Sequence, residues 1–179
     1  MTDTEILNLF KSESGQNAAF NRLLEKYQER TYWHIRKLVV VHEDADDICQ
    51  DTFIKVFKNL ERFKEDSNLF TWIYRIATNE SLNFLKKKKT KFFLPIHDYE
   101  NELTTKLSQS DLIDGNKVEI ELQKAILKLP EKQRVVFNLK YFEDLDYKQI
   151  SEITNTSVGG LKASYHHAVT KIKKNIDID

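Results

Sequence analysis

Trp72, Arg75, Asn79, Asn83 and Lys86 recur at i, i+3, i+7, i+11 and i+14, which puts them on one stripe of a helix. An aromatic stacks on an exposed base, amides read base edges and lysines hold phosphates. That combination suits unpaired nucleic acid. A tryptophan on a helix is more often core, and periodicity alone leaves that reading open. A second set lies near the C-terminus: Gly160, Lys162, Ala163, His166, His167, Thr170, Lys171, Lys173 and Lys174 fall away from the apolar stripe of the last helix. Small residues at a helix start allow close approach to a groove, and lysines and histidines beyond them reach phosphates and base edges. A solvated basic face explains this helix alone equally well; the short helix and tight turn before it favour duplex DNA.

The third set is acidic: Glu43, Asp44, Asp46, Asp47 and Asp51. It lacks the glycine and spacing of a calcium loop, and no histidine stands at ligand spacing from it. Asp47, Gln50, Asp51, Ile54 and Lys58 instead form an outer stripe in which an apolar Ile54 among polar groups points to a protein interface. Cys49 falls on the inner face and reads as packing. His166 and His167 are consecutive, so they diverge by about 100° and do not readily share one ion. No nucleophile elbow, phosphate loop or dinucleotide fingerprint is present. The expectation is a protein that is not an enzyme and uses no metal or cofactor.

These stripes need helices to carry them. In 179 residues, 40% hydrophobic and 31% charged, only 4 Gly and 2 Pro occur, too few for the turns of a barrel or sandwich. The expected fold is all-α, with two small helical domains joined by a flexible acidic linker and the second ending in a helix-turn-helix. Residues 18–41 read as a helix burying Phe20, Leu23, Leu24, Tyr27, Ile35 and Leu38. A second, capped by Asp44 or a neighbouring acid, runs to about Leu60 and buries Ile48, Cys49, Thr52, Phe53, Val56 and Leu60. After a charged loop at 61–66, Ser67 caps a third that runs to about Lys89, with Phe70, Ile73, Ala77 and Phe84 on one side. Periodicity fails over 91–116, around Pro95 and Gly115, and so long a gap separates domains 18–90 and 117–174.

Helices resume with Val118, Leu122, Ala125, Ile126 and Leu129. Pro130 ends that element and opens the next, whose stripe is Val135, Val136, Leu139 and Phe142. A short helix over 146–154, a turn at Asn155-Thr156 and a helix capped by Ser157, with Val158, Leu161, Tyr165, Ala168 and Ile172 inward, complete the helix-turn-helix.

Lys+Arg and Asp+Glu both number 28, yet they are segregated. Five acids lie between Glu43 and Asp51, five lysines crowd Lys86–Lys91, residues 92–121 hold seven acids against two lysines, and 156–176 hold four lysines and no acid. Such a chain has separate electropositive and electronegative surfaces. One cysteine fits a reducing compartment. The first ten residues lack a signal-peptide pattern, and no apolar run approaches the roughly 20 residues of a spanning helix.

Four segments together resemble bacterial sigma factors. The run 47–57, DICQDTFIKVF, resembles their region 2 core-binding motif, and 70–79, FTWIYRIATN, the promoter-melting segment after it. Residues 129–137, LPEKQRVVF, resemble the start of region 4, and 157–168, SVGGLKASYHHA, its recognition helix. Their order around a single linker matches the extracytoplasmic-function (ECF) group. The resemblance implies binding to core RNA polymerase, with Asp47, Gln50, Asp51, Ile54 and Lys58 against the clamp helices of the largest subunit. It implies −10 capture and melting by Trp72, Arg75, Asn79, Asn83, Lys86 and the loop 61–68. It implies −35 contacts from Ser157, Gly160, Lys162, Ala163, His166, His167, Lys171, Lys173 and Lys174. The first helices of the second domain would meet the flap of the second-largest subunit, and the acidic linker would thread the polymerase cleft. An anti-sigma factor, no membrane insertion and a bacterial cytoplasmic location go with the group. Ser164 and His167 stand where the family often has Arg, Asn155 where a turn glycine is common, and Thr154 where an apolar residue is usual. These departures bear on the promoter sequence read. The competing classes are a helix-turn-helix regulator that binds duplex DNA without polymerase, and a metal-dependent all-α hydrolase using Asp46, Asp47 and Asp51.

Overall fold

The computed structural model describes residues 1–12, 14–64, 67–92, 104–107 and 117–176. Most of the expected linker and Glu65-Asp66 of the charged loop lie outside the described residues.

Among the described residues, helices α1 to α4 build the first body. α1 (Asp3–Phe10) begins with a capping box: the Thr2 hydroxyl accepts from the Glu5 amide while the Glu5 carboxylate accepts from the Thr2 amide. It buries Ile6, Leu7 and Phe10. Helical periodicity becomes plain only from residue 18, so α1 was not expected, although T-x-x-E before an apolar run signals such a start. α2 (Gln16–Val39) buries Leu23, Tyr27, Ile35 and Leu38 as expected, together with three polar residues, Thr31, His34 and Arg36. It ends at Val40, whose φ of 68° is strained for a β-branched residue.

α3 (His42–Asn59) starts two residues before the expected acidic cap. Val41 stands at its N-cap with no side-chain hydrogen bond, and the acids Glu43 and Asp44 lie in the first turn, where they complement the helix dipole. Ile48, Cys49, Thr52, Phe53 and Val56 are buried along it, and Leu60 in the short 3-10 turn that follows (Leu60–Arg62). α4 (Leu69–Phe92) is entered through Asn68, not Ser67: the Asn68 Oδ1 accepts from the Thr71 amide at 2.7 Å. Ile73, Tyr74, Ala77 and Leu85 are buried on α4, whereas Phe70 and Phe84 are only half-buried.

The second body holds α5 (Lys117–Leu127), α6 (Glu131–Tyr141), α7 (Tyr147–Thr154) and α8 (Val158–Asn175). Pro130 caps α6, and α7 carries a second capping box between Asp146 and Gln149. Asn155 closes α7 in the left-handed region, φ 52° and ψ 42°, which its side chain tolerates. The Ser157 hydroxyl then accepts from the Gly160 amide to start α8. Ala125, Ile126, Leu129, Phe137, Ala168 and Ile172 form a compact apolar cluster within this body. Val118 and Val158, expected inside, are 52% and 40% exposed because each sits in the first turn of its helix, beyond the reach of the facing layer.

The two bodies share a core. One apolar cluster runs from Leu23, Ile35, Ile73 and Leu85 into Leu127, Val135, Leu139, Leu145, Ile150 and Ile153 of the second body. α7 packs along α4, and α6 meets α2.

Candidate nucleic-acid and partner interface

The expected recognition stripes lie on separate outer faces. On α3, Asp47, Gln50, Asp51, Ile54 and Lys58 are all exposed, Ile54 by 50%. Next to this stripe, a groove of about 1050 Å³ opens between α2 and α3, lined by Tyr32, Trp33, Arg36, Val40, Asp46 and Gln50 among others. Trp33 is 42% exposed there. Cys49 lies under the groove, and burial, with the Asp46 charge adding to it, pushes its thiol up to about 11. Such a thiol is inert as a nucleophile near neutral pH.

On α4, Arg75, Asn79, Asn83 and Lys86 face solvent, and Trp72 is half-buried, its ring tilted against Phe63 at 5.0 Å between centroids. Trp72, Ile76 and Asn79 open into a cleft of about 380 Å³ bordered by Lys55, Asn59 and Arg62. Trp72 is thus both packing and surface. The lysine run divides. Lys86 and Lys87 face outward, but Lys88 bonds Asp44 at 2.6 Å and Lys89 bonds Glu131 at 2.8 Å. Those two ammonium groups already serve the packing of α4 against α3 and α6.

On α8, Lys162, Ala163, His166, His167, Lys171, Lys173 and Lys174 are exposed, Ser157 is exposed at the cap, and Gly160 is half-buried beneath it. The Lys162 ammonium lies 5.9 Å from the Tyr147 ring, which steers it toward the α7 side of the motif. A Cβ on Gly159 would meet no atom within 4 Å, so this fold places no demand for glycine there. His166 and His167 diverge, with ring centroids 6.0 Å apart and planes 63° apart.

A polar cluster that periodicity did not single out sits between the two bodies. Glu143, on the loop after α6, has a side chain only 6% exposed. Its Oε2 accepts from Arg30 Nε at 2.9 Å and from the Tyr74 hydroxyl at 2.9 Å, and Lys37 lies 3.7 Å from Oε1. Burial opposes its charged form, but Arg30, His34, Tyr74 and Lys37 outweigh that, and the carboxyl is held below its ordinary range. Tyr74 is pushed up by burial and by this carboxylate. His34 is fully buried, stacks on Tyr74 at 4.7 Å and shares a 2.9 Å hydrogen bond with Thr78. Burial drives it down to about 4, so it is neutral at physiological pH. The available signal was Arg30, His34 and Lys37 at i, i+4 and i+7, a basic stripe on a helix otherwise reading as core.

A helical body with an aromatic, amide and lysine face, packed on a second that ends in a capped helix-turn-helix with a basic outer helix, defines a two-domain helical DNA-binding protein. The Sigma-70 region 2 family matches residues 23–91, and the Sigma-70 region 4 family matches residues 119–172. The ECF RNA polymerase sigma factor SigW of Bacillus subtilis is 30% identical over 172 residues, covering 92% of each chain. The ECF RNA polymerase sigma-E factor of Haemophilus influenzae is 28% identical, covering 98% of this chain and 96% of that one. Among solved structures, the sigma factor RpoE of Bartonella quintana, in complex with the anti-sigma factor NepR, superposes with a TM-score of 0.67 at 20% identity, covering 89% of this chain and 98% of that one. CnrH, in complex with the cytosolic domain of CnrY, superposes with a TM-score of 0.68 at 20% identity, covering 96% of each chain. The chain belongs to the sigma-70 family, in its ECF group, and is an RNA polymerase sigma factor. No helix among the described residues is long and apolar enough to cross a membrane.

Proposed function

We propose that residues 18–90 act as the polymerase-docking and −10 domain, residues 117–174 as the −35 domain, and 91–116 as the connection between them. In this reading the α3 stripe Asp47, Gln50, Asp51, Ile54 and Lys58 docks on the clamp helices of the largest polymerase subunit, and the start of the second domain meets the flap of the second-largest. The α4 face holds unpaired −10 bases, with Trp72 as a stacking edge, Asn79 and Asn83 as base-edge readers, and Arg75 and Lys86 on the backbone. α8 enters the −35 major groove through Gly160, Ala163, Lys162 and His166, while His167, Lys171, Lys173 and Lys174 hold phosphates and Ser157 sets the helix start. The open space at Gly159 suits a helix that must come close to DNA. The protein performs no catalysis of its own, works in the bacterial cytoplasm, and is held in check by an anti-sigma factor, as the complexes of its structural relatives suggest.

One observation carries the reading. Arg75, Asn79, Asn83 and Lys86 all face solvent in a row beside a half-buried Trp72, a platform that a regulator binding only duplex DNA does not need. The test is in vitro transcription on fragmented genomic DNA of the source organism. Core polymerase plus this chain should give discrete starts that neither gives alone. Sequence-specific binding of duplex DNA without core, and no transcript with it, would identify a stand-alone regulator instead.

A further inference from the structure

The first two turns of α8 offer few groups that could read a sequence. From Val158 to Tyr165, Lys162 alone carries a charge. Leu161 is buried, Gly159 and Gly160 supply only space, and Ala163 presents a methyl group. Lys162 is exposed, and a lysine on a long flexible stem spreads its ammonium over many positions. That spread suits a phosphate, which takes charge from many directions, but not a base edge, which demands one placement. In this fold the spread is curtailed. The Lys162 ammonium lies over the Tyr147 ring, 5.9 Å from its centroid, within reach of the attraction between a cation and an aromatic face. Tyr147 is itself fixed. It is the first residue of α7, directly after the Asp146 cap, and its half-buried ring packs against the apolar core. The Lys140 ammonium stands 5.7 Å from the same ring centroid but donates to the Leu145 carbonyl at 3.1 Å, which ties it to the loop before α7.

We infer that Tyr147 is a positioning residue for −35 recognition: its ring holds the Lys162 ammonium in one place near the start of α8, so that this lysine reads a base edge instead of neutralising phosphate. That role rests on the placement of α8 in the −35 groove proposed above. The base it suits presents two acceptors on its major-groove edge, as guanine does. Affinity and selectivity then come from different groups. The Lys162 charge favours any duplex, and the Tyr147 ring turns that charge into a preference at one position. The Tyr147 hydroxyl has no part in this, because the attraction is to the ring face. Removing the ring leaves the charge of α8 unchanged and frees the ammonium to reach neighbouring phosphates. Binding to unrelated DNA therefore persists while the preference is lost. A residue of α7, which itself touches no base, governs what α8 reads.

The test uses holoenzyme and a promoter recovered by the transcription assay above, with every single-base change across its −35 element in competition. Lys162→Ala is expected to flatten the preference at one position. Tyr147→Leu, which keeps an apolar side chain against the core, should lower the preference at that same position about fivefold. Its slope of binding against salt should match wild type, because no charge is removed. The double variant should be no worse at that position than Lys162→Ala, since two residues acting as a unit are not additive. Tyr147→Phe should behave as wild type. Fluorinated phenylalanines at residue 147, which keep the ring and drain charge from its face, should weaken the preference stepwise. They also serve if Tyr147→Leu does not fold. A uniform loss at all positions, additive effects in the double variant, or a Tyr147→Phe as poor as Tyr147→Leu would overturn the inference. So would a wild-type preference in Tyr147→Leu while Lys162→Ala flattens its position. If Lys162→Ala flattens no position, the placement of α8 in the groove fails and the inference falls with it.

Discussion

At the scale of single residues, the buried His34 makes stability depend on pH. Its ordinary value near 6.5 falls to about 4 in the fold because burial disfavours the imidazolium, with Lys37 and Arg30 adding to this and Glu143 opposing it. A group whose folded value is depressed contributes in full above its unfolded value and loses that contribution as the pH falls toward the folded one. The window is therefore about pH 6.5 down to about 4, and the difference is worth about 3 kcal/mol. Glu143, held below its ordinary range, acts with the same sign at the acid end: its contribution is present above that range and lost as it protonates. Thermal melts should show a falling midpoint across this window, and His34→Gln should flatten the upper part of the slope. An unchanged slope in the variant would move the titration to other groups.

Asn79 and Asn83 belong to the same scale. Both are exposed on α4, so truncating them leaves the core untouched. Extruding a base costs a few kcal/mol, and a stacking or edge contact returns about 1–3 kcal/mol. Holoenzymes with Asn79→Ala or Asn83→Ala are expected to bind promoter DNA but open it poorly, read as weak permanganate reactivity of −10 thymines. A pre-melted bubble should restore much of the activity if opening is the defect. Trp72→Ala is a poorer probe, because that ring also packs on Phe63 and removing it would cost stability as well.

At the scale of elements, each exposed stripe makes one separable contribution. Reversing charge at Asp47 and Asp51 on α3 should abolish stable core binding while circular dichroism and melting temperature stay near wild type, since neither side chain is buried. Normal holoenzyme affinity in the double variant would place the docking surface elsewhere, the α2–α3 groove around Trp33 being the next face to test. On α8, Lys162→Ala and His166→Ala should each weaken −35 recognition by about 1–3 kcal/mol for every base edge the side chain reads. Lys173→Ala and Lys174→Ala, about two turns or more further on, should instead lower the slope of binding against salt and leave sequence preference unchanged. A footprint indifferent to Lys162→Ala would take this helix out of the groove.

At the scale of the whole molecule, the two bodies share one apolar cluster, from Leu23 and Ile73 through to Ile150 and Ile153. Domains that bury a common core unfold together, and small cooperative units show a single transition. Calorimetry of the wild-type chain should give one endotherm with matching calorimetric and van't Hoff enthalpies. Ile150→Ala, which cuts into that cluster, should lower the midpoint and broaden or split the endotherm. Two resolved transitions in the wild type would mean that the shared cluster couples the bodies too weakly for them to melt as a unit.

Much of this was legible in the sequence because helical periodicity and capping act over a few residues. The stripes at 72–86 and 47–58, the Pro130 junction, the left-handed Asn155 and the Ser157 cap all follow from local spacing and chemistry, and the structure keeps each of them. α1 was equally local and was missed only because its capping box, Thr2 with Glu5, opens a helix of eight residues, too short for its periodicity to stand out. What local rules do not contain is which partner a charged side chain meets across the chain. Lys88 and Lys89 have the same type and nearly the same position as Lys86, yet they pair with Asp44 and Glu131 because α4 lies between α3 and α6. Arg30 and Glu143 are 113 residues apart in sequence and 2.9 Å apart in space. Sequence by itself determined the longer helices, most of their faces and the family. Tertiary packing alone decided that the two bodies close on each other, because the shared apolar cluster, and the donors that make the buried Glu143 carboxylate tolerable, are assembled from segments far apart in the chain.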